Sequence, residues 1–261
     1  MLAKVGSLVI KMVISTFVLS IYLGTKQLGI LNYPVALITF FMAMATLGLD
    51  GFVTRELLNH PEKRDEILGT AFRMRVIAGL CTIPLICGTY WLINSFRHLD
   101  TPFYYVFVVS FTCVIQAINI IESFFQSKVL AKYIMYVQVA GNIISALLKL
   151  VFILLPLPLI WFVYSLLFDA AIIGIGYMLA YWSVKNKITD WRYDGTLAKF
   201  LISNSWPLAF SAILGSLYMK IDQVMIPLYQ STDQLGIYTT VASLSESWYF
   251  IPIAIVGSVF P

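Results

Sequence analysis

Lys149 lies inside a long apolar run, and Gln138, Asn142 and Ser145 precede it at steps of four, three and four residues. On a helix those steps put all four side chains on one face. Another run carries Thr112, Gln116, Asn119, Ser123 and Gln126 at similar steps, with Glu122 beside the stripe. Lys4, Ser7, Lys11, Ser15 and Tyr22 share a face of the first run, and Asn204, Ser211, Gly215, Tyr218 and Asp222 share a face of a later one. Charge inside an apolar run is costly, so each such residue asks for a partner, water or a function. An ammonium in a wet cavity attracts anions, and amides beside it suit a hydroxyl-rich ligand. Lys149, Lys11 and Lys220 are therefore the candidate anion contacts, and Gln116, Asn119, Gln138 and Asn142 the candidate polar lining. Glu122, Asp169, Asp222 and Glu246 are the candidates to carry a coupling ion. The neutral residues also read as glue between packed helices, and Lys149 as half of an internal ion pair with Asp169. Losing Lys149 is expected to reduce function with little loss of folding.

Other chemistry finds no support in the sequence. It holds no phosphate-binding loop, no paired cysteine spacing and no HExxH, and His60 and His98 fall in different gaps. Cys81, Cys87 and Cys113 all lie in apolar runs, where packing is the natural role. No enzymatic activity, metal, cofactor or nucleic-acid partner is expected.

The elements that must hold these side chains are membrane helices. Apolar residues make up 60% of the chain and charged residues 11%, with a mean hydropathy of +0.86. Soluble domains carry roughly twice that charged share. Eight spans are expected, near 3–23, 33–53, 71–94, 103–125, 134–155, 159–184, 204–227 and 237–260. The runs are continuous, which argues against a β-barrel. The first run carries Lys4 and Lys11 and lacks a small-residue cleavage site, so it is expected to stay as a span.

Loop charge sets the orientation. One set of gaps holds Arg55, Lys63, Arg64, Arg73, Arg75, Lys128, Lys132, Lys185, Lys187, Arg192 and Lys199; the opposite set holds Lys26 and Arg97. The basic set, and the N-terminus with it, is expected in the cytoplasm. Gly24–Asn32, Ser95–Thr101, Pro156–Pro158 and Gln230–Gly236 then form the outer connections. Pro61 and Glu62 read as a helix start leading into the third span. Arg73 and Arg75 read as anchors snorkelling to lipid phosphates. The segment 185–203, with Trp191 and Tyr193 beside basic residues, reads as an interfacial linker that joins two lobes and lets them rock.

A repeat organises the whole. Thr25–Ile30 reads TKQLGI and Thr232–Ile237 reads TDQLGI, and Tyr22 falls on Tyr229 and Leu37 on Leu244 at the same offset. Six spans separate the two copies, so both enter the membrane in one direction. Two like bundles about an axis along the membrane normal are expected. The expected architecture is an all-α integral membrane protein. It comprises a six-helix lobe over 1–184, the linker, and the first two helices of a second, parallel-repeat bundle over 204–261.

Several stretches carry a resemblance. LGLDGFVTREL (Leu47–Leu57) followed by PEKRDEILGTAFRMR (Pro61–Arg75), with YLGTKQLGILNY (Tyr22–Tyr33), resembles the first two connections of Wzx-type O-antigen and exopolysaccharide repeat-unit flippases. Trp206–Ile226 and Gly236–Pro261 resemble their seventh and eighth helices. The resemblance implies a transporter of the multidrug/oligosaccharidyl-lipid/polysaccharide exporter superfamily in the bacterial inner membrane. The implied substrate is an undecaprenyl-pyrophosphate-linked oligosaccharide, moved between leaflets by alternating access for polysaccharide assembly. Membrane lipid and a polysaccharide polymerase complex are the implied partners. Such proteins have twelve or more spans, so this chain looks like a fragment. A cation-coupled drug exporter and a non-transporting scaffold are the alternatives.

Overall fold

A helix that begins after Gly24 and one that begins at Thr232 meet at one end of the molecule, and each opens on a copy of the repeat. They belong to a computed structural model that describes residues 18–246, which are helical with short connections. The α-helices are α1 (Leu19–Ala45), α2 (Leu49–Asn59), α3 (Arg64–Phe96), α4 (Phe103–Ser110), α5 (Thr112–Ile115), α6 (Ile121–Ser127), α7 (Ala131–Leu154), α8 (Leu159–Ser183), α9 (Gly195–Tyr229) and α10 (Thr232–Glu246). Short 3₁₀ segments at Pro61–Lys63, Gln116–Ile120 and Ile188–Asp190 join some of them.

Six stretches among the described residues are long and apolar enough to cross a membrane: Leu19–Asn59, Pro61–Phe96, Phe103–Ser127, Ala131–Leu154, Leu159–Ser183 and Gly195–Tyr229. They match the second to seventh expected spans. Most of the first span, with Lys4 and Lys11, and the latter part of the eighth lie outside the described residues. The surface is studded with large apolar side chains such as Trp91, Leu92, Ile175 and Leu179, which suit lipid rather than water. The protein is an all-α, multi-pass membrane protein.

Three boundaries differ from the sequence expectation. The gap at 24–32 is not a loop, because the chain turns once at Gly24 (φ 72°) and resumes as helix. A left-handed φ suits glycine, which has no Cβ to clash. Likewise Gln230–Ser231 interrupts the chain before α10 starts at Thr232. At the other end α9 starts at Gly195, inside the expected linker. Asp194 caps it, its Oδ1 accepting from the Thr196 and Leu197 amides at 2.8 and 3.4 Å.

The two repeat copies pack on each other. A Cβ on Gly29 would collide with the Thr232 carbonyl, and a Cβ on Gly236 with the Thr25 carbonyl. These two contacts exchange under the repeat offset, so the crossing is reciprocal. Small residues four apart let the backbones approach this closely. Asn32 donates to Thr239 Oγ1 at 2.8 Å, its own counterpart in the other copy, and Thr25 donates to Asp233 at 3.0 Å. Asp100 ties both copies, accepting from Thr232 at 3.1 Å and facing Lys26 at 3.8 Å. Tyr22 reaches the Leu157 carbonyl. All four expected outer connections therefore gather at this end.

The basic connections gather at the opposite end. Arg64 donates to Asn186 at 2.7 Å, and Arg192 donates its amide to the Asp65 carbonyl at 3.1 Å. Trp191 is buried against Tyr181 and Phe72. The 185–193 segment is thus clamped to α3 and α8 rather than slack, because its indole and backbone have partners there. Arg73 is exposed beside Tyr193, as an anchor should be.

Each end has its own apolar core. Leu49, Leu68, Phe125, Tyr177, Tyr181 and Leu201 pack at the basic end. Leu28, Tyr33, Ile86, Val106, Phe162 and Leu235 pack at the repeat end.

Candidate functional site

Between the two cores runs a polar cleft. Its larger part, about 630 Å³, is bounded by α1, the α4–α6 span, α8 and α9. Thr39, Thr46, Thr112, Gln116, Asn119, Asp169 and Ser216 supply polar side chains among apolar walls. A second chamber of about 240 Å³ shares Thr46, Gln116 and Asn119 with it and adds Asp50, Arg75, Glu122, Ser123 and Gln126. Three shared residues make the two chambers one cleft.

The span from Phe103 to Ser127 places most of these groups. It is α-helical at both ends but tightens to 3₁₀ over Gln116–Ile120. A 3₁₀ stretch inside a helix often marks a functional position. Neighbours close on the irregular span: a Cβ on Gly79 would lie 2.8 Å from the Cys113 carbonyl, and one on Gly174 would lie 2.7 Å from Ile118. Glu122, just past the break, is held on two sides. Tyr177 donates to it at 2.9 Å and Gln126 at 3.2 Å. Asn119 keeps a buried Oδ1 without a partner in the cleft.

Among the described residues Arg75 is the cation that lines this cleft, and it corrects the sequence expectation of a lipid-phosphate anchor. It is 3% exposed, donates from Nη2 to Asp50 Oδ1 at 2.6 Å, and holds its Nε without a partner. The reason is where α3 starts. Helix begins at Arg64, primed by Pro61 and by Asp65 and Glu66 in its first turn, so Arg75 sits about three turns in. The start signal at Pro61 is legible in the sequence, whereas the burial of Arg75 depends on the packing of α3 against α2.

Lys149 occupies the other role foreseen for it. Its ammonium meets Asp169 Oδ2 at 2.7 Å and Ser145 Oγ at 3.3 Å, and the residue is 5% exposed. It is an internal partner rather than a free cavity cation. Removing it would strand a half-buried carboxylate, a loss of about 3–5 kcal/mol for a buried pair. Asp169 is the member that reaches the cleft, with Oδ1 buried and unpartnered. Asn142 is buried and Gln138 half-buried on the same face of α7, and neither lines either chamber.

Lys220, Asp222 and Glu246 form a separate cluster between α9 and α10. Lys220 is bound by both Glu246 oxygens, at 3.1 and 3.3 Å, and Tyr238 donates to Asp222. Lys220 borders a small apolar groove of about 230 Å³, not the polar cleft. The expected grouping of Lys220 with the cavity cations therefore does not hold. Lys11 lies outside the described residues.

The cleft can solvate a charged, hydroxyl-rich group at membrane depth. It offers one guanidinium, amides from Gln116, Asn119 and Gln126, hydroxyls from Thr39, Thr46, Thr112 and Ser123, and three carboxylates. The family model described as "Polysaccharide biosynthesis protein" matches residues 1–261, so the chain belongs to that family. No curated protein and no solved structure matches the chain. The chain is thus a membrane protein of polysaccharide biosynthesis or export.

Proposed function

We propose that the protein moves undecaprenyl-pyrophosphate-linked oligosaccharide repeat units across the bacterial inner membrane by alternating access. The observation that carries this reading is Arg75: a nearly sealed guanidinium with an unspent N–H, facing amides and hydroxyls in a chain of this family. A pyrophosphate entering lipid depth needs such a cation, since desolvating it alone is prohibitive. The sugar takes the amides, and the polyprenyl chain stays in lipid. In this reading the basic end and the N-terminus are cytoplasmic. The lobes divide near 184 and 204, and a polysaccharide polymerase complex receives the product. Glu122, bonded by Tyr177 beside the chamber, carries the coupling proton or sodium ion.

The test is transport of a fluorescent lipid-linked oligosaccharide in proteoliposomes. Wild type should deliver substrate to a quencher on the far side, and Arg75→Gln should slow this by about 100-fold if one charged contact of ~2.7 kcal/mol is lost from the transport path. Equal rates in folded wild type and Arg75→Gln would remove Arg75 from the reading. The three carboxylates of the cleft favour a second reading, a cation-coupled exporter of organic cations. Dye efflux that survives Arg75→Gln and is lost with Asp169→Asn would support it.

A further inference from the structure

Asp50 and Arg75 are an unequal pair. The arginine side chain is 3% exposed and the aspartate side chain 62% exposed, although only 2.6 Å separates them. A structural ion pair buried for stability seals both members and spends every donor. Here the cation is sealed with its Nε–H left over, while the anion is exposed on the same chamber. The carboxylate is also loosely held: among the described residues, Arg75 is its one hydrogen-bond donor from another element. Its backbone carbonyl, by contrast, is fixed by Thr54 at 2.8 Å and Ser123 at 3.2 Å. The side chain can therefore swing away while its helix stays.

We propose that Asp50 is an internal stand-in for phosphate, which occupies Arg75 until a diphosphate displaces it. The inference rests on the proposed function for its ligand class and adds a selectivity rule. A carboxylate takes one Arg75 N–H here, whereas a pyrophosphate offers more charge and enough oxygens to take Nη2 and Nε together. A singly charged anion gains too little to evict Asp50. The residue thus sets a threshold that admits diphosphates and turns away chloride, acetate and uronic acids.

The experiment uses the full chain in detergent at low salt, with inorganic pyrophosphate, inorganic phosphate and undecaprenyl pyrophosphate as probes. Asp50→Asn should tighten pyrophosphate binding by about tenfold and narrow the gap between pyrophosphate and phosphate, because the competitor is gone. Arg75→Gln should abolish binding, and adding Asp50→Asn to it should restore nothing. Asp50→Glu should bind as wild type does. A folded Asp50→Asn protein with unchanged or weaker affinity overturns the proposal and leaves Asp50 a structural residue. Should Asp50→Asn not fold, ¹⁵N-arginine-labelled wild type decides: Arg75 side-chain resonances that stay fixed through a pyrophosphate titration overturn the proposal. Gain by undecaprenyl pyrophosphate alone assigns the stand-in to the lipid form; gain by both probes assigns it to the diphosphate itself. Altered affinities without oligosaccharide transport would leave this inference standing and sink the flippase reading. Transport with unaltered affinities would do the reverse.

Discussion

Where α1 crosses α10, the closest contacts have twins: Gly29 on Thr232 matches Gly236 on Thr25, and Asn32 bonds its own counterpart, Thr239. Where α2 meets α3, nothing has a twin: a sealed arginine faces an exposed aspartate, and polar atoms are left over. The first region closes two backbones together with small residues and is finished. The second keeps unspent hydrogen-bonding capacity at membrane depth, which costs stability and so implies a use. Symmetry in this molecule belongs to the junction, and chemistry belongs to the part that departs from it.

Four changes would break or sharpen that contrast. The largest effect is expected at the cleft, where Lys149→Met should destabilise the protein by about 3–5 kcal/mol by stranding Asp169. Lys149→Met with Asp169→Leu should recover most of that loss in a thermal melt; no recovery would mean the pair is not what holds α7 to α8. Next comes the junction. Gly236→Ala puts a methyl group into backbone that cannot yield, and should cost about 3 kcal/mol, with Gly29→Ala equivalent by symmetry. Unequal losses from the two would break the claim of reciprocity. The Asn32–Thr239 bond should show a coupling of about 0.6 kcal/mol in a double-mutant cycle.

The smallest effect lies outside both regions. Asp194 caps α9, and the bonds it accepts from the Thr196 hydroxyl, then the Thr196 and Leu197 amides, hold its carboxyl below the ordinary carboxylate value. A lowered folded-state value stabilises above the unfolded pKa of about 3.9 and is lost as pH falls through the folded one. Asp194→Ala should lower the melting temperature by about 2 °C at pH 7, and the difference should vanish in acid.

The junction was legible in the sequence and the cleft only partly so. TKQLGI and TDQLGI announce a repeat by identity alone, although not that the copies touch or are helical. The stripe Thr112–Gln116–Asn119–Ser123 pointed to the wall that lines the cleft. The stripe on α7 misled, since periodicity gives a shared face but not which neighbour that face meets. Lys149 turned to α8 and found Asp169. Arg75 was missed because hydropathy begins the span at 71 while the helix begins at Arg64. A charge about one turn into the apolar run is about three turns into the helix.

The 3₁₀ stretch at Gln116–Ile120 has a mechanical corollary. Five residues wound at about 2.0 Å each rather than 1.5 Å make the rod about 2.5 Å longer, and the tighter winding adds roughly 100° of turn. If those residues relaxed to ordinary α geometry, the piece below would ratchet by one residue's rotation. Glu122 and Gln126 would leave the chamber together. The winding of this short stretch therefore decides which side chains, Glu122 and Gln126 among them, face the chamber.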